Sequence, residues 1–132
     1  MSGVIELKTL LKDMHPDLSD IEYVFCTVES ISFGAISELE PVCTFKEDEG
    51  ITLVLEKNRA IAADLKFSEV FKQITLQVHS SLEAVGLTAT VSTTLAEKGI
   101  STNVIAAYYH DHIFVPSNKA EKAMIALKSL SD

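Results

Sequence analysis

Basic residues are scarce in this sequence of 132 residues, because 11 Lys and Arg side chains stand against 19 Asp and Glu side chains, a formal net charge of −8 at neutral pH. Nucleic acids and anionic membrane surfaces are bound through clustered Lys and Arg, so the balance argues against both partners. The acidity is uneven: residues 1–66 carry 6 basic and 13 acidic groups, whereas residues 67–132 carry 5 and 6. The excess negative charge therefore belongs to the first half of the chain.

Long hydrophobic runs and cysteines are scarce as well. The longest wholly apolar stretch, residues 104–109, has six residues, far short of the roughly 20 that span a bilayer. Glu6 and Lys8 place charges where a signal peptide needs an apolar run. Cys26 and Cys43 each lie within an apolar run, which favours buried reduced thiols over a disulfide or a reactive site. We expect a cytoplasmic protein without a membrane span or a cofactor.

Hydrophobic residues make up 47% of the chain, enough for a core without disulfide or metal staples. The length fits one ordinary domain, or two very small ones that share a core. In the first half, helical spacing over residues 5–14 predicts a short helix that Pro16 ends. Strands are predicted over 23–28, 42–46 and 51–56, a hairpin loop at 47–50, a helical turn over 33–39, and a helix through Asp64 capped by Asn58.

The second half repeats this order of elements. Residues 71–79 alternate between apolar and polar, as a strand with one buried face does. A long helix that ends before Gly99 follows, and then a hairpin of residues 103–109 and 113–115 that turns at 110–112. Asn118 and Glu121 predict a capping box at the start of the last helix.

The two halves align with a shift of 60 residues. Leu53-Val54-Leu55 then falls on Ile113-Phe114-Val115, and Asn58-Arg59-Ala60 falls on Asn118-Lys119-Ala120. We interpret residues 1–66 and 67–132 as the halves of a degenerate internal repeat. Helices mixed with hairpins predict an α+β fold with a largely antiparallel sheet and helices on one face.

One stretch carries a family resemblance. Gly86-Leu87-Thr88-Ala89 through Leu95-Ala96-Glu97-Lys98-Gly99-Ile100, followed by the predicted strand at 103–109, resembles the signature of the ACT domain. The resemblance covers residues 70–130, and the first half matches as a worn second copy. The whole chain is similar to small bacterial proteins built from two ACT-like halves.

The resemblance implies a ferredoxin-like βαββαβ fold for each half, pairing through sheets or helices, and an amino acid ligand near the loop after the first strand. The acidic residue and Pro-Gly that the family carries before the helix read Glu83-Ala84-Val85-Gly86 here, so the glycine is kept and the proline is missing. The second copy lacks its final strand, and the N-terminal segment or a partner chain must cover that position.

Ten residues form the predicted ligand site. In a βαββαβ unit the end of the first strand and the hairpin tip meet at one edge of the sheet, which brings residues 79–81 toward residues 110–112. Backbone N–H groups at a helix start suit a carboxylate, Asp111 suits an ammonium group, and Asn103 can fix the orientation. The full set is His79, Ser80, Ser81, Glu83, Gly86, Leu87, Asn103, His110, Asp111 and His112. The alternative is that Ser80 and Glu83 form a simple capping box.

Two catalytic interpretations compete with ligand binding. His79, His110, Asp111 and His112 carry nitrogen and oxygen donors suited to a metal, although His-x-His at a turn has little specificity. Ser80 or Ser81 beside a histidine and an aspartate names the members of a hydrolase triad, but the nucleophile elbow is missing. We favour neither of these over a binding site.

The sequence therefore predicts a non-enzymatic sensor or regulatory module that binds a small ligand, most simply an amino acid, and acts as a homodimer. Ligand binding would shift the relative position of halves or subunits. A structural homodimerisation module without a ligand is the alternative, and a metal-dependent enzyme that uses the histidines is a further one.

Overall fold

A computed structural model describes residues 2–29, 32–77 and 86–131, the first five of them as backbone only. Its helices are α1 Ser2–Lys12, α2 Phe33–Leu39, α3 Lys57–Ala62, α4 Leu87–Glu97 and α5 Ala120–Ser129. Its strands are β1 Pro16–Val28, β2 Cys43–Lys46, β3 Ile51–Glu56, β4 Phe71–Leu76, β5 Asn103–Ala106 and β6 Asp111–Pro116. The strands form a six-stranded antiparallel sheet in the order β2-β3-β1-β4-β6-β5. The predicted α+β class is confirmed.

Contacts between Cα atoms divide the chain into two compact units. Residues Ile21–Phe71 form one, which we call the central unit. Residues Met1–Asp20 and Lys72–Asp132 form the other, which we call the split unit. β1 begins in the split unit and continues in the central unit, and its 13 residues make it longer than the predicted strand at 23–28.

The central unit is built on β1, β2 and β3. β3 pairs antiparallel with β1 from Tyr23↔Glu56 to Val28↔Ile51 and with β2 from Cys43↔Val54 to Lys46↔Ile51. The predicted hairpin loop is confirmed, with Glu47 N donating to Gly50 O at 2.8 Å. Alternate side chains of the strands form the core together with α3: Val24, Cys26, Leu53, Leu55 and Ala60.

The split unit contains a second, larger core. Strands β4 and β6 contribute the buried residues Ile74, Leu76, Ile113 and Val115, and the long helices cover them with Leu87, Val91, Leu95, Ala120, Ala123 and Leu127. The first residues of the chain complete this core, since Met14 is fully buried in it and Leu7, Leu10, Leu11 and Leu18 pack against it. The N-terminal segment is thus the element that covers the second copy.

The shift of 60 residues holds in three dimensions. β2 and β3 become β5 and β6 at exactly that distance in sequence, and the pair Cys43↔Val54 becomes Asn103↔Phe114. Ala60 and Ala120 are both buried at the start of the following helix. The predicted repeat therefore corresponds to a repeated hairpin and helix.

The predicted turn of the second hairpin is wrong by three residues. Ala107 N donates to His110 O at 3.1 Å, so the turn lies at 107–110, and Asp111 and His112 are the first residues of β6. Tyr108 and Tyr109, which were predicted in a strand, occupy the tip with 72% and 65% of their surface exposed. The β5 strand ends earlier than predicted because the repeat places this turn where Glu47–Gly50 lies in the first half.

Two of the predicted helix caps are also wrong. Asn58 lies inside α3, which starts at Lys57 after the N-cap residue Glu56. Asn118 lies in a short 3₁₀ turn, Ser117–Lys119, and neither this turn nor α5 has a side-chain cap. In both copies the strand runs directly into the helix, so the asparagine comes too late to cap it.

Both cysteines carry thiols without a disulfide. Cys26 is buried and Cys43 is half-buried. Burial raises the pKa of the Cys26 thiol, which favours its uncharged form. No helix in the described part of the chain has the length and apolarity to cross a membrane.

Candidate functional site

The start of α4 is formed by Gly86, which is the N-cap residue with φ 101°. This left-handed backbone geometry suits glycine because an L side chain is strained there. The carbonyl of Gly86 accepts the first helical hydrogen bond from Thr90 N at 2.9 Å. No side chain caps this helix start, so the N–H groups of the first turn keep their donors for water or for a ligand.

The other end of α4 is well satisfied. Lys119 Nζ donates to Gly99 O at 2.8 Å, and Lys122 Nζ donates to Lys98 O at 3.0 Å. Two cations at a helix C-terminus compensate its partial negative charge. The two ends of α4 therefore differ: side-chain donors meet the carbonyl end, and no side-chain acceptor meets the amide end.

The corresponding helix of the first copy has a different start. Ser32 is the N-cap residue of α2, and its Oγ accepts from Ala35 N at 3.2 Å. A serine cap satisfies a first-turn donor of α2 from within the chain. Of the two helix starts, the one at Gly86 is therefore the better candidate for a bound anion.

A polar network lies on β4 and β6 of the split unit. His112 Nδ1 is 3.0 Å from Gln73 Nε2 and 3.0 Å from Thr75 Oγ1. Because Gln73 Nε2 can only donate, Nδ1 accepts, and the ring proton resides on Nε2. The network thus fixes the orientation and the tautomer of His112.

The charge state of His112 follows from its surroundings. Partial burial lowers its pKa, the neighbouring His110 lowers it further, and Asp111 raises it in part. Two imidazoles 6.5 Å apart disfavour each other's charge. His112 is therefore held in its neutral form at neutral pH.

Strand alternation separates the predicted site residues. Ile113, Val115 and Val104 face the core that contains α4, so Asp111, two residues before Ile113, is on the same side of the sheet. His112 follows on the opposite side, and so does Asn103, which pairs directly with Phe114. Gly86 and Asp111 thus lie on the helix side, and His112 and Asn103 lie on the other side.

The remaining predicted residues have different positions. Leu87 is a buried core residue of α4 with 2% of its surface exposed. His110 closes the hairpin turn, and its buried Nδ1 has no hydrogen-bond partner within the described ranges. His79, Ser80, Ser81 and Glu83 lie outside the described residues.

Gln73 and Thr75 were missed as partners of the histidine. The signal for them was present, because they are the polar members of the alternating 71–79 strand, on the face opposite Ile74 and Leu76. What the sequence did not show is that β6 lies directly beside β4. Among the described residues, no group of three or more His, Cys, Asp or Glu side chains is arranged to hold a metal ion.

Comparison with known sequences identifies a family. A profile described as ACT domain matches residues 2–72, and a second ACT domain profile matches residues 70–129. The two matches follow one another along the chain and correspond to its two copies. A search among curated proteins gives no match.

Solved structures share the fold over nearly the whole chain. A Vibrio cholerae protein of unknown function, described as a possible transport protein, is 52% identical, has a TM-score of 0.89, and is matched over 98% of this chain and 99% of that chain. An Agrobacterium tumefaciens protein is 19% identical with a TM-score of 0.73, over 88% of this chain and 87% of that one. The ligand-free regulatory subunit of aspartate kinase from Thermus thermophilus is 11% identical with a TM-score of 0.66, over 90% and 98%.

Proposed function

The chain belongs to the ACT domain family, and from this premise we propose that it is a non-enzymatic regulatory module that binds an amino acid. The regulatory subunit of aspartate kinase has the same fold, which supports a regulatory role without a catalytic domain of its own. The single observation that carries the proposal is the start of α4, where no side chain caps the helix after Gly86.

The carboxylate of the amino acid is proposed to meet the first-turn N–H groups of α4. Backbone donors and the positive end of the helix dipole both favour an anion there. The lysines at the opposite end of the helix compensate the carbonyls, so they do not compete for the ligand. Ser32 occupies the comparable position in the first copy, and we therefore assign the ligand to the second copy alone.

The ammonium group of the ligand is proposed to meet Asp111. This carboxylate is half-buried at the start of β6, on the side of the sheet that α4 covers. A charge-assisted hydrogen bond to an ammonium is stronger than a neutral one. In this proposal His112 contributes through the Gln73 and Thr75 network, which holds the start of β6 in place. The contributions of His79, Ser80, Ser81 and Glu83 stay predictions from the sequence.

The test is a thermal-shift screen with each of the common L-amino acids, followed by calorimetric titration. A ligand at 100 times its dissociation constant adds about 2.7 kcal/mol of stability. Asp111→Asn is expected to weaken binding about tenfold or more, because it removes a charged acceptor. Glu97→Gln, an exposed acid at the far end of α4, is the matched control and is expected to bind as the wild type does.

Two results would count against the proposal. The absence of a shift with every amino acid would favour a structural module without a ligand. Equal binding by the Asp111→Asn and Glu97→Gln variants would remove Asp111 from the site.

The protein is further proposed to act as a homodimer. Tyr108 and Tyr109 expose most of their surface at the hairpin tip, with ring centroids 5.0 Å apart. Tyrosine is enriched at protein interfaces because its ring packs while its hydroxyl stays hydrated. The equivalent turn of the first copy carries Asp48 and Glu49 instead, so the aromatic tip is particular to the second copy.

Light scattering coupled to size-exclusion chromatography tests the dimer. Replacing Tyr108 and Tyr109 together with serine is expected to shift the protein toward the monomer. Replacing Asp48 and Glu49 with serine in the equivalent turn is the control and leaves the dimer intact. A dimer that survives the tyrosine change would show that the interface lies elsewhere.

A further inference from the structure

We propose that helix α1 is a lid that covers the start of α4 and competes with the ligand there. The inference rests on the proposed function, since it concerns access to that same site. It follows from the contact between Leu7 and Gly86, from the uneven burial of α1, and from the backbone that joins α1 to β1.

Leu7 occupies the space beside Gly86. A Cβ atom built on Gly86 would lie 3.3 Å from Leu7 Cδ2, 3.6 Å from Cδ1 and 3.9 Å from Cγ. Any residue other than glycine would therefore press against the leucine. The side chain of α1 thus covers the residue from which the first turn of α4 begins, where the ligand carboxylate is proposed to bind.

The inner face of α1 is held most firmly at its C-terminal end. Met14, just beyond the helix, is fully buried, whereas Leu7, Leu10 and Leu11 are only half-buried against the same core. Lys8, Thr9 and Lys12 form the exposed face. Because apolar stabilisation scales with the area removed from water, the hold weakens from Met14 toward Leu7.

The junction of α1 and β1 provides a fixed anchor and a turning point. Gln77 N donates to Met14 O at 2.8 Å, which ties this residue to the strand side. His15 follows with φ 43°, a left-handed geometry that is uncommon for a residue other than glycine. α1 can therefore swing about residues 13–15 while Met14 stays in the core.

The lid makes the measured affinity a product of two equilibria. If the ligand binds only when α1 is open, the apparent dissociation constant is the intrinsic value divided by the open fraction. Weakening the Leu7 contact raises the open fraction. It should then tighten binding although it removes a contact from the folded protein.

The test compares the full-length wild type with Leu7→Ala in titrations with an equimolar mixture of the common L-amino acids. We expect Leu7→Ala to bind the mixture about tenfold more tightly, as a tenfold rise in the open fraction predicts. Leu130→Ala is the matched control, because Leu130 is half-buried against the same core but lies outside α1. Its affinity should equal that of the wild type.

A second measurement needs no substitution. Hydrogen exchange of the wild-type backbone amides at residues 7–12, with and without the amino acid mixture, is expected to speed up when the mixture binds. Exchange at the β1 residues 17–20 should not change.

The outcomes separate the lid from the proposed function. If the wild type binds but Leu7→Ala binds no more tightly, or if the mixture slows exchange in α1, the lid is overturned and the ligand site stands. If neither protein binds, the proposed function fails and the lid fails with it. Binding by Leu7→Ala alone would support the lid.

Discussion

Gly50 closes the hairpin between β2 and β3 in the central unit. A Cβ atom on this residue would lie 2.8 Å from Val28 O, closer than real Cβ atoms come to backbone oxygen. Its φ of 156° is also one that side chains rarely adopt. The equivalent residue of the second copy is His110, so the two turns share their backbone hydrogen bond but not their steric requirement.

Gly50→Ala is therefore expected to destabilise the protein by about 2 kcal/mol, from strain and overpacking together. Gly34→Ala is the matched control. Gly34 lies inside α2, and a Cβ there would meet only Ser32 Oγ at 3.9 Å. Alanine is the better helix former, so this change should stabilise by up to about 1 kcal/mol. Urea unfolding of the two variants measures both, and equal stabilities would contradict the prediction.

At the scale of elements, the His112 network joins β4 to β6. It requires an unprotonated Nδ1, because that atom accepts from Gln73. Protonation of the ring would convert Nδ1 into a donor and oppose the amide donor of Gln73. The pKa of His112 is lowered in the folded protein, mainly by burial and secondly by His110, which is the shift expected if folding favours the neutral ring.

A lowered histidine pKa in the folded state determines the sign of a pH dependence. The stabilising contribution of His112 is complete above its unfolded pKa of about 6.5 and is lost as the pH falls through the lower folded pKa. We expect the free energy of unfolding to decrease from pH 7.5 to pH 5, and His112→Gln to flatten that decrease.

Urea unfolding across this pH range provides the measurement, with His15→Gln as the control because His15 is an exposed histidine of the same unit. If His112→Gln leaves the slope unchanged while His15→Gln flattens it, His112 is not the titrating group.

At the scale of the whole molecule, the second copy does not contain all of its own core. Met14 and the half-buried Leu7, Leu10, Leu11 and Leu18 come from the other end of the sequence. The C-terminus meets this segment as well, with Ser131 Oγ donating to Leu11 O at 2.9 Å. The split unit is therefore compact in space and discontinuous in sequence.

A fragment of residues 67–132 is accordingly expected to remain unfolded. Loss of a buried leucine or methionine side chain costs about 2–5 kcal/mol, and several such losses exceed the 5–15 kcal/mol that stabilises an ordinary domain. Joining residues 72–132 through a Gly-Ser linker to residues 1–20 should restore a cooperative transition in circular dichroism. Cooperative unfolding of the fragment alone would contradict this.

The repeat and most of the strands could be predicted because they depend on local patterns. Leu53-Val54-Leu55 and Ile113-Phe114-Val115 are apolar runs that form buried strands in any packed fold. The caps at Asn58 and Asn118 were mispredicted because a residue type favourable at a helix start does not reveal where the preceding strand ends. Gly86 was found through its family signature, whereas Leu7, which lies over it, has no local signal.

The sequence by itself determined the class of the fold, the two copies and the family, because apolar periodicity and a glycine signature are written in neighbouring residues. Only the tertiary structure decided that the N-terminal segment completes the second copy, that Gln73 and Thr75 hold His112, and that Asp111 and His112 lie on opposite sides of the sheet. These facts depend on strand order and on the exact residue at which a turn begins. A shift of one residue in a strand moves a side chain to the other face, and composition and spacing do not record that shift.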